Sequence, residues 1–175
     1  MRSQRTSLKR LRQLIIFAML AALMFISKLI LEFLPNIHLL GVLTMVYTIV
    51  YRQKALIPIY LFVFILGLYY GFNLWWIPYL YLWTVLWGIT MLLPKNMPPK
   101  IVPIVYMSVC GLHGLAYGSL YAIFQAFAYS FNFKQTIAWI VAGTPWDITH
   151  CIGNFVAGIL IYPLAKALLR LEKQY

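Results

Sequence analysis

Three polar side chains stand close together in an otherwise apolar part of the sequence. Asp147, His150 and Asn154 lie within TPWDITHCIGNF, which covers residues 144–155. Their spacing of three and four residues places all three on one face of a helix. A carboxylate, an imidazole and an amide on one face can line a polar pocket, or they can clamp neighbouring helices. A clamp needs only one polar residue, so three of them favour a pocket.

A second pair of ionisable residues, Lys28 and Glu32, is separated by four positions. Opposite charges at this spacing can neutralise each other along a helix. A self-paired couple near a membrane surface and a functional pair both fit this pattern. Asn36 and His38 follow shortly afterwards. We count Asn36 and His38, together with Asp147, His150 and Asn154, among the candidate ligand-binding residues.

The segment 69–87 reads YYGFNLWWIPYLYLWTVLW and is dominated by Tyr and Trp. Such residues form belts at membrane–water interfaces, which explains Trp75 and Trp76 well. Tyr79, Trp83 and Trp87 recur every four residues, so they share a helical face on which a flat ligand could stack. We therefore add Trp75, Trp76, Tyr79 and Trp83 to the candidate ligand-binding residues. A belt combined with ordinary packing is the alternative.

Recognisable catalytic motifs are missing from the sequence. It contains no phosphate-binding glycine loop with a lysine, no HExxH and no GxSxG. The His, Cys and Asp residues show no specific metal-ligand spacing. Cys110 and Cys151 lie in apolar segments, and we interpret them as small buried packing residues. The sequence therefore predicts no catalytic residue, no cofactor and no metal site on this chain.

The composition indicates a membrane as the solvent of these residues. Of the 175 residues, 63% are hydrophobic and 10% are charged, whereas soluble domains carry about 25% charged residues. A spanning helix needs about 20 apolar residues. We therefore predict an all-α integral membrane protein, with residues 1–175 forming a single domain and a six-helix bundle. The predicted spans are 14–34, 38–51, 55–72, 74–93, 101–131 with breaks, and 144–169.

The basic residues predict the orientation of this bundle. Twelve of the 14 lysines and arginines fall in the two termini, in the loop between the second and third spans, or in the loop between the fourth and fifth. Only Lys28 and Lys134 lie elsewhere. Because cytoplasmic loops are enriched in Lys and Arg, both termini are predicted to be cytoplasmic. The net charge of +11 is explained in this way, without a nucleic-acid partner.

The fifth predicted span is long and contains several glycines. Gly111, Gly114 and Gly118 interrupt it, which predicts a kinked helix, a re-entrant segment or an added interfacial helix. Irregular backbone at membrane depth survives only beside protein or a water-filled cavity. This region is therefore expected to lie near a cavity.

Two small residues of the first span, Ala18 and Ala22, are four positions apart. Small residues at this spacing allow another helix to approach closely. Because they lie in the predicted cytoplasmic half of the span, they suit the docking of a partner subunit.

The basic N-terminus, the six predicted spans, the Ala18/Ala22 pair and the Asp147/His150/Asn154 run together resemble the substrate-binding S component of an energy-coupling factor (ECF) vitamin transporter. The resemblance covers nearly the whole chain. It implies a six-helix bundle in a bacterial plasma membrane with a vitamin pocket on the extracellular side. It also implies a transmembrane T subunit docked at Ala18 and Ala22, and two ATPase subunits that carry the ATP and Mg²⁺. The polar residues of the last helix would line or support the pocket.

The resemblance leaves the vitamin open. Many Tyr and Trp residues together with amides and imidazoles suit a large, flat molecule, so cobalamin is the leading expectation. Folate, pantothenate, a flavin and a pyrimidine precursor are the alternatives. Two other classes of function remain: a membrane enzyme that uses Asp147 and His150 as acid and base, and a ligand-free assembly subunit in which the polar face is a helix clamp.

Overall fold

The computed structural model describes residues 2–34 and 37–173, and this part of the chain is helical without any strand. Its α-helices are α1 (Arg2–Ile30), α2 (Leu40–Tyr51), α3 (Leu56–Tyr70), α4 (Tyr79–Leu92), α5 (Val102–Ala128), α6 (Phe133–Ala157) and α7 (Ile161–Lys173). Short 3₁₀ turns cover Arg52–Ala55, Leu74–Trp76 and Gly158–Leu160. The prediction of an all-α protein is confirmed.

Four helical segments in the described residues are long and apolar enough to cross a membrane. They are Ser7–Ile30, Leu40–Tyr70, Val102–Ala128 and Phe133–Lys173. The second of these joins α2 and α3 through the turn at Arg52–Ala55, and α4 is shorter than the other segments. The structure therefore supports an α-helical membrane protein, and the count of six spans stays a prediction.

The helices run back and forth between two ends of the bundle, except that α7 continues the helical segment that α6 begins. At one end, the Gln13 side chain on α1 accepts a hydrogen bond from Lys54 at 3.2 Å, and Tyr51 donates to Glu172 at 2.9 Å. We call this the basic end, because Lys9, Arg12, Arg52 and Lys54 lie there. At the opposite end the Tyr70 hydroxyl donates to Glu32 at 2.8 Å. The N-terminal half of α1 and the end of α7 therefore lie at the same end of the bundle.

Helix α2 is the central element of the bundle, although it is the shortest helix in the described residues. Residues 40–48 are all buried, because α2 packs against α4 and α7 and also contacts α1, α5 and α6. Gly41 permits part of this packing, since an added Cβ would lie 3.0 Å from the Cys110 sulfur. Helix α2 covers most of the predicted span 38–51, and its crossing of a membrane as a span of its own stays a prediction.

The prediction of breaks in 101–131 is wrong, because α5 is a continuous helix from Val102 to Ala128. Gly111, Gly114 and Gly118 lie where α6 crosses closely, and an added Cβ on Gly114 would lie 2.7 Å from the carbonyl oxygen of His150. Glycine weakens a helix by about 1 kcal/mol relative to alanine. In this bundle the close packing that glycine allows outweighs that cost.

The last span was predicted to start near Thr144, but α6 begins at Phe133. A capping box starts it: the Asn132 side chain accepts from the Gln135 N–H at 2.9 Å, and Gln135 accepts from the Asn132 N–H at 2.8 Å. Pro145 is accommodated inside the helix. Asp147 therefore lies well inside α6 and not near its first turn. Through the turn at Gly158–Leu160 the helical segment continues to Lys173.

Candidate ligand-binding cavity

A cavity of about 330 Å³ opens at the end of the bundle opposite the basic end. We call it the polar cavity. Residues of α1, the α1–α2 connection, α4, α5 and α6 line it, so its shape depends on the packing of the whole bundle. Its polar and aromatic lining residues are Lys28, Glu32, His38, Trp75, Tyr79, Tyr117, Tyr121 and His150. Four predicted site residues, His38, Trp75, Tyr79 and His150, are therefore brought together.

The two histidines of the polar cavity are in direct contact. The Nε2 atoms of His38 and His150 lie 3.1 Å apart, with ring centroids 5.0 Å apart. One imidazole must donate and the other accept, so the contact requires at least one neutral ring. The Tyr117 ring lies 4.8 Å from the His150 ring. The Nδ1 atom of His38 is buried and meets no partner of hydrogen-bond geometry in the described residues. The pair thus offers polar ring atoms to a ligand at this side of the polar cavity.

Aromatic rings form one wall of the polar cavity. Trp75 and Tyr79 meet edge to face with centroids 5.6 Å apart, and Tyr121 donates a hydrogen bond to the Trp75 carbonyl at 3.2 Å. Tyr117 and Tyr121 stack with centroids 6.4 Å apart. Such a wall suits the edge or face of a planar ligand.

The predicted aromatic face of α4 runs from the polar cavity to the basic end. Tyr79 lines the cavity. Trp83 is only 1% exposed and lies behind the lining, with its ring centroid 6.0 Å from those of both His38 and Tyr79. Trp87 donates to the carbonyl of Arg52 at 3.1 Å, at the other end of the bundle. Tyr79 therefore contributes to the cavity, whereas Trp83 and Trp87 pack inside the bundle and hold its helices together.

Lys28 and Glu32 both line the polar cavity, but they do not form the self-paired couple that their spacing allows. Glu32 accepts a hydrogen bond from Tyr70, and the Lys28 ammonium lies over the Tyr70 ring, 5.0 Å from its centroid. Within the described residues, neither side chain has an ion-pair partner. Tyr70, which is distant in sequence, thus separates the two charges.

The three polar residues of α6 share one face, as their spacing predicts, and they are its buried residues. Only His150 lines the polar cavity. Asp147 accepts a hydrogen bond from the backbone N–H of Gly118 at 2.9 Å, which ties α6 to α5. Asn154 is 2% exposed and packs against Gly41 and Gly114. Asp147 and Asn154 thus support the position of His150 from either side along the helix.

Trp76, another predicted site residue, lies away from the polar cavity lining. Trp76 donates to the carbonyl of Val63 at 2.8 Å and packs edge-on against Phe72, so it joins α3 to the α3–α4 connection. Asn36 lies outside the residues that the structure describes.

Sequence reasoning did not find Tyr117 and Tyr121 as cavity residues. They stand four positions apart in the glycine-rich part of α5, and that spacing is the signal that could have identified them. Their role depends on the continuity of α5, which the glycines argued against. Lys28 and Glu32 were noted for their charge but were not predicted to line a pocket.

The predicted docking residues lie on a free surface of α1. Ala18 and Ala22 are exposed, whereas Phe17, Ala21 and Met24 on an adjacent side of the helix are buried. Helix α1 packs on α3 with its buried side, so its small-residue face is left for lipid or for another protein.

Among the described residues, no three His, Cys, Asp or Glu side chains are grouped in a way that could hold a metal ion. Cys110 is buried and Cys151 partly buried, and both are free thiols.

Comparison with known proteins does not identify the chain. No protein-family model matches the sequence, and no curated protein or solved structure is significantly similar to it.

Proposed function

We propose that this protein is the substrate-binding S component of an ECF-type vitamin importer. The observation that carries the proposal is the polar cavity, which is lined by aromatic and polar residues from most of the bundle and lies opposite the basic end. Ligand pockets in proteins combine apolar walls with a few placed polar groups in this way. A T subunit and two ATPases would supply the transport energy.

The up-and-down course of the helices supports six spans with cytoplasmic termini. Tyr51 meets Glu172 at the basic end, and Arg52 donates to the carbonyl of Met91 there at 2.9 Å. The chain therefore returns to this end after α2, α4 and α7. Because basic residues mark cytoplasmic ends, the polar cavity would open to the outside of a bacterial plasma membrane.

The size of the polar cavity bears on the vitamin. Its volume of about 330 Å³ lies near the lower limit of ligand pockets, which measure roughly 300–1,000 Å³. Cobalamin, the leading expectation from the sequence, is the largest of the candidate vitamins and would require the cavity to widen. The geometry favours a compact cargo, such as pantothenate, a flavin or a pyrimidine precursor.

The exposed face of α1 supports the proposed partner. Ala18 and Ala22 present little side-chain volume on a helix side that packs against nothing in the described chain. A helix of a T subunit could therefore approach the α1 backbone closely.

The test is co-purification of the chain with co-expressed T and ATPase subunits, followed by mass spectrometry of the small molecules that the complex releases. Ala18→Trp with Ala22→Trp should abolish co-purification but leave ligand content unchanged. Leu23→Trp is the matched control, because Leu23 is also exposed on α1 but lies about 140° around the helix from Ala18. A chain that captures no partner and no vitamin would refute the proposal.

The ligand-free assembly subunit remains the alternative function, and one contact favours it. The Gly118–Asp147 hydrogen bond is the helix clamp that this alternative requires. It predicts that no vitamin raises the melting temperature of the purified chain, whereas a binding component must be stabilised by its ligand.

The alternative of a membrane enzyme that acts on lipids has less support, because Asp147 does not line the polar cavity beside His150.

A further inference from the structure

Lys28 lies at the junction of two adjoining cavities. The polar cavity of about 330 Å³ and a second cavity of about 340 Å³ share Lys28, Glu32, Trp75 and Tyr79 in their linings. A ligand in the polar cavity would therefore have the Lys28 ammonium at its side, and the second cavity provides room for a substituent.

No carboxylate in the described part of the chain neutralises the charge of Lys28 through an ion pair. Its ammonium group lies over the face of the Tyr70 ring, 5.0 Å from the ring centroid. The nearby carboxylate of Glu32 accepts a hydrogen bond from the Tyr70 hydroxyl instead. A partly buried ammonium without a counter-ion is costly, and an anionic group of a ligand would offset that cost.

His38 and His150 line another part of the polar cavity, which we call its floor. His38 and His150 share one hydrogen bond between their Nε2 atoms, and Nδ1 of His38 has no partner of hydrogen-bond geometry in the described residues. Tyr117 packs against His150. This floor matches uncharged ring nitrogens, hydroxyls or carbonyls. The ligand that fits both regions is polar at one end and charged at the other.

We propose that the polar cavity binds a small planar ring compound that carries a carboxylate or phosphate, with the anionic group paired to Lys28. The ring lies between the wall of Trp75 and Tyr79 and the floor of His38 and His150. This inference rests on the proposed function and specifies its substrate class. It assigns Lys28 as the residue that selects for negative charge, and Glu32 as a neighbour that weakens anion binding.

The experiment measures binding to the detergent-purified full chain by calorimetry and by thermal shift. Two matched pairs of compounds serve as probes: nicotinate with nicotinamide, and pyridoxine 5′-phosphate with pyridoxine. The first pair tests a carboxylate and the second a phosphate. Riboflavin and thiamine represent neutral and cationic vitamins. We expect the anionic member of at least one pair to bind more tightly than its neutral partner by about tenfold or more.

Three variants separate charge selection from folding. Lys28→Met should weaken the anionic compound by about tenfold or more, whereas Lys28→Arg should keep most of the affinity because it keeps the positive charge. Glu32→Gln should bind the anion as tightly as the natural chain or more tightly. The melting temperature of each unliganded variant checks that the bundle is intact.

Opposite results would overturn the inference. If Lys28→Met binds every compound as the natural chain does, Lys28 only extends toward the membrane surface. If thiamine or riboflavin is the compound that binds, and Glu32→Gln weakens it, the substrate class is wrong while the vitamin-binding function stands. Failure of all six compounds to bind the natural chain would overturn the inference, while capture of the T and ATPase subunits would still support the proposed function.

Discussion

The Nε2 atoms of His38 and His150 lie 3.1 Å apart at the floor of the polar cavity. His38 belongs to the connection between α1 and α2, and His150 belongs to α6. This contact therefore joins two parts of the chain that are distant in sequence. Because one nitrogen must donate and the other accept, the two tautomers are coupled.

The first prediction concerns the energy of this histidine pair. We expect His38→Ala and His150→Ala each to lower the free energy of unfolding by about 1–3 kcal/mol, since each leaves a buried nitrogen without its partner. The double variant should be less destabilised than the sum, with a coupling of about 0.5–3 kcal/mol. Denaturant unfolding in detergent measures all four proteins. Strict additivity would show that the contact contributes nothing to folding.

The second prediction concerns the loss of stability at acidic pH. The hydrogen bond between the Nε2 atoms of His38 and His150 needs at least one neutral ring. Protonation of both rings would break this bond and bring two positive charges together, so acid favours the unfolded chain. We expect the melting temperature to decrease from pH 7.5 to pH 4.5, and to decrease less in His38→Gln. Equal pH profiles for the two proteins would contradict a pH-sensitive contact between the two rings.

The third prediction tests the clamp between α5 and α6. Asp147 accepts from the Gly118 N–H, and an added Cβ on Gly118 would collide with the Asp147 carboxylate. We expect Gly118→Ala to cost about 1–3 kcal/mol in unfolding free energy through overpacking. Asp147→Ala removes the collision partner, so the double variant should be less destabilised than the sum of the single variants.

The control for this cycle is Gly143→Ala in the same helix as Asp147, because no atom lies within 4 Å of an added Cβ there. It should be neutral or stabilising by up to about 1 kcal/mol, as alanine is the better helix former. If Gly118→Ala behaves like Gly143→Ala, the close approach of the two helices is wrong.

The fourth prediction links helix packing to ligand binding. An added Cβ on Gly114 would lie 2.7 Å from the backbone oxygen of His150 and 2.9 Å from Nδ2 of Asn154. The His150 backbone cannot rotate away as a side chain could, so Gly114→Ala should push α6 outward and displace the imidazole from the polar cavity. We expect lower ligand affinity, measured by calorimetry, together with a lower melting temperature. Gly143→Ala should change neither quantity by a comparable amount.

The polar face of α6 could be predicted from the sequence because spacing alone determines which residues share a helical face. Asp147, His150 and Asn154 are buried together as that rule requires. Which of them reaches the cavity could not be predicted, because this depends on where α5 crosses α6. The crossing at Gly118 leaves Asp147 on the helix contact and only His150 on the lining.

The course of α5 was mispredicted for a physical reason. Glycine propensity is a local quantity, and it predicts breaks in 101–131. The energy that keeps α5 continuous comes from α6, whose backbone packs onto Gly114. Tyr117 could not be predicted as a cavity residue for the same reason, because its position depends on the packing of α5 against α6. The contact of Lys28 with Tyr70 also joins residues that no local sequence pattern connects.

The last prediction separates the aromatic wall from the packing behind it. Trp83 is 1% exposed, and its Nε1 has no hydrogen-bond partner in the described residues. Trp83→Ala should cost about 3–5 kcal/mol in unfolding free energy, because it leaves a large void among buried rings. Trp83→Phe should cost far less, since it keeps most of the ring volume and removes an unpaired N–H.

Ligand affinity decides how Trp83 takes part in the site. Because Trp83 lies behind the lining, Trp83→Phe should leave affinity unchanged, whereas Tyr79→Phe alters a group that lines the cavity and should weaken binding. Trp87→Phe is the control on the same helical face: it loses the hydrogen bond to the Arg52 carbonyl at a cost of about 1 kcal/mol, without effect on affinity. A large loss of affinity in Trp83→Phe at unchanged stability would mean that the indole N–H bonds the ligand directly, so that the cavity extends deeper toward α2 than its lining shows.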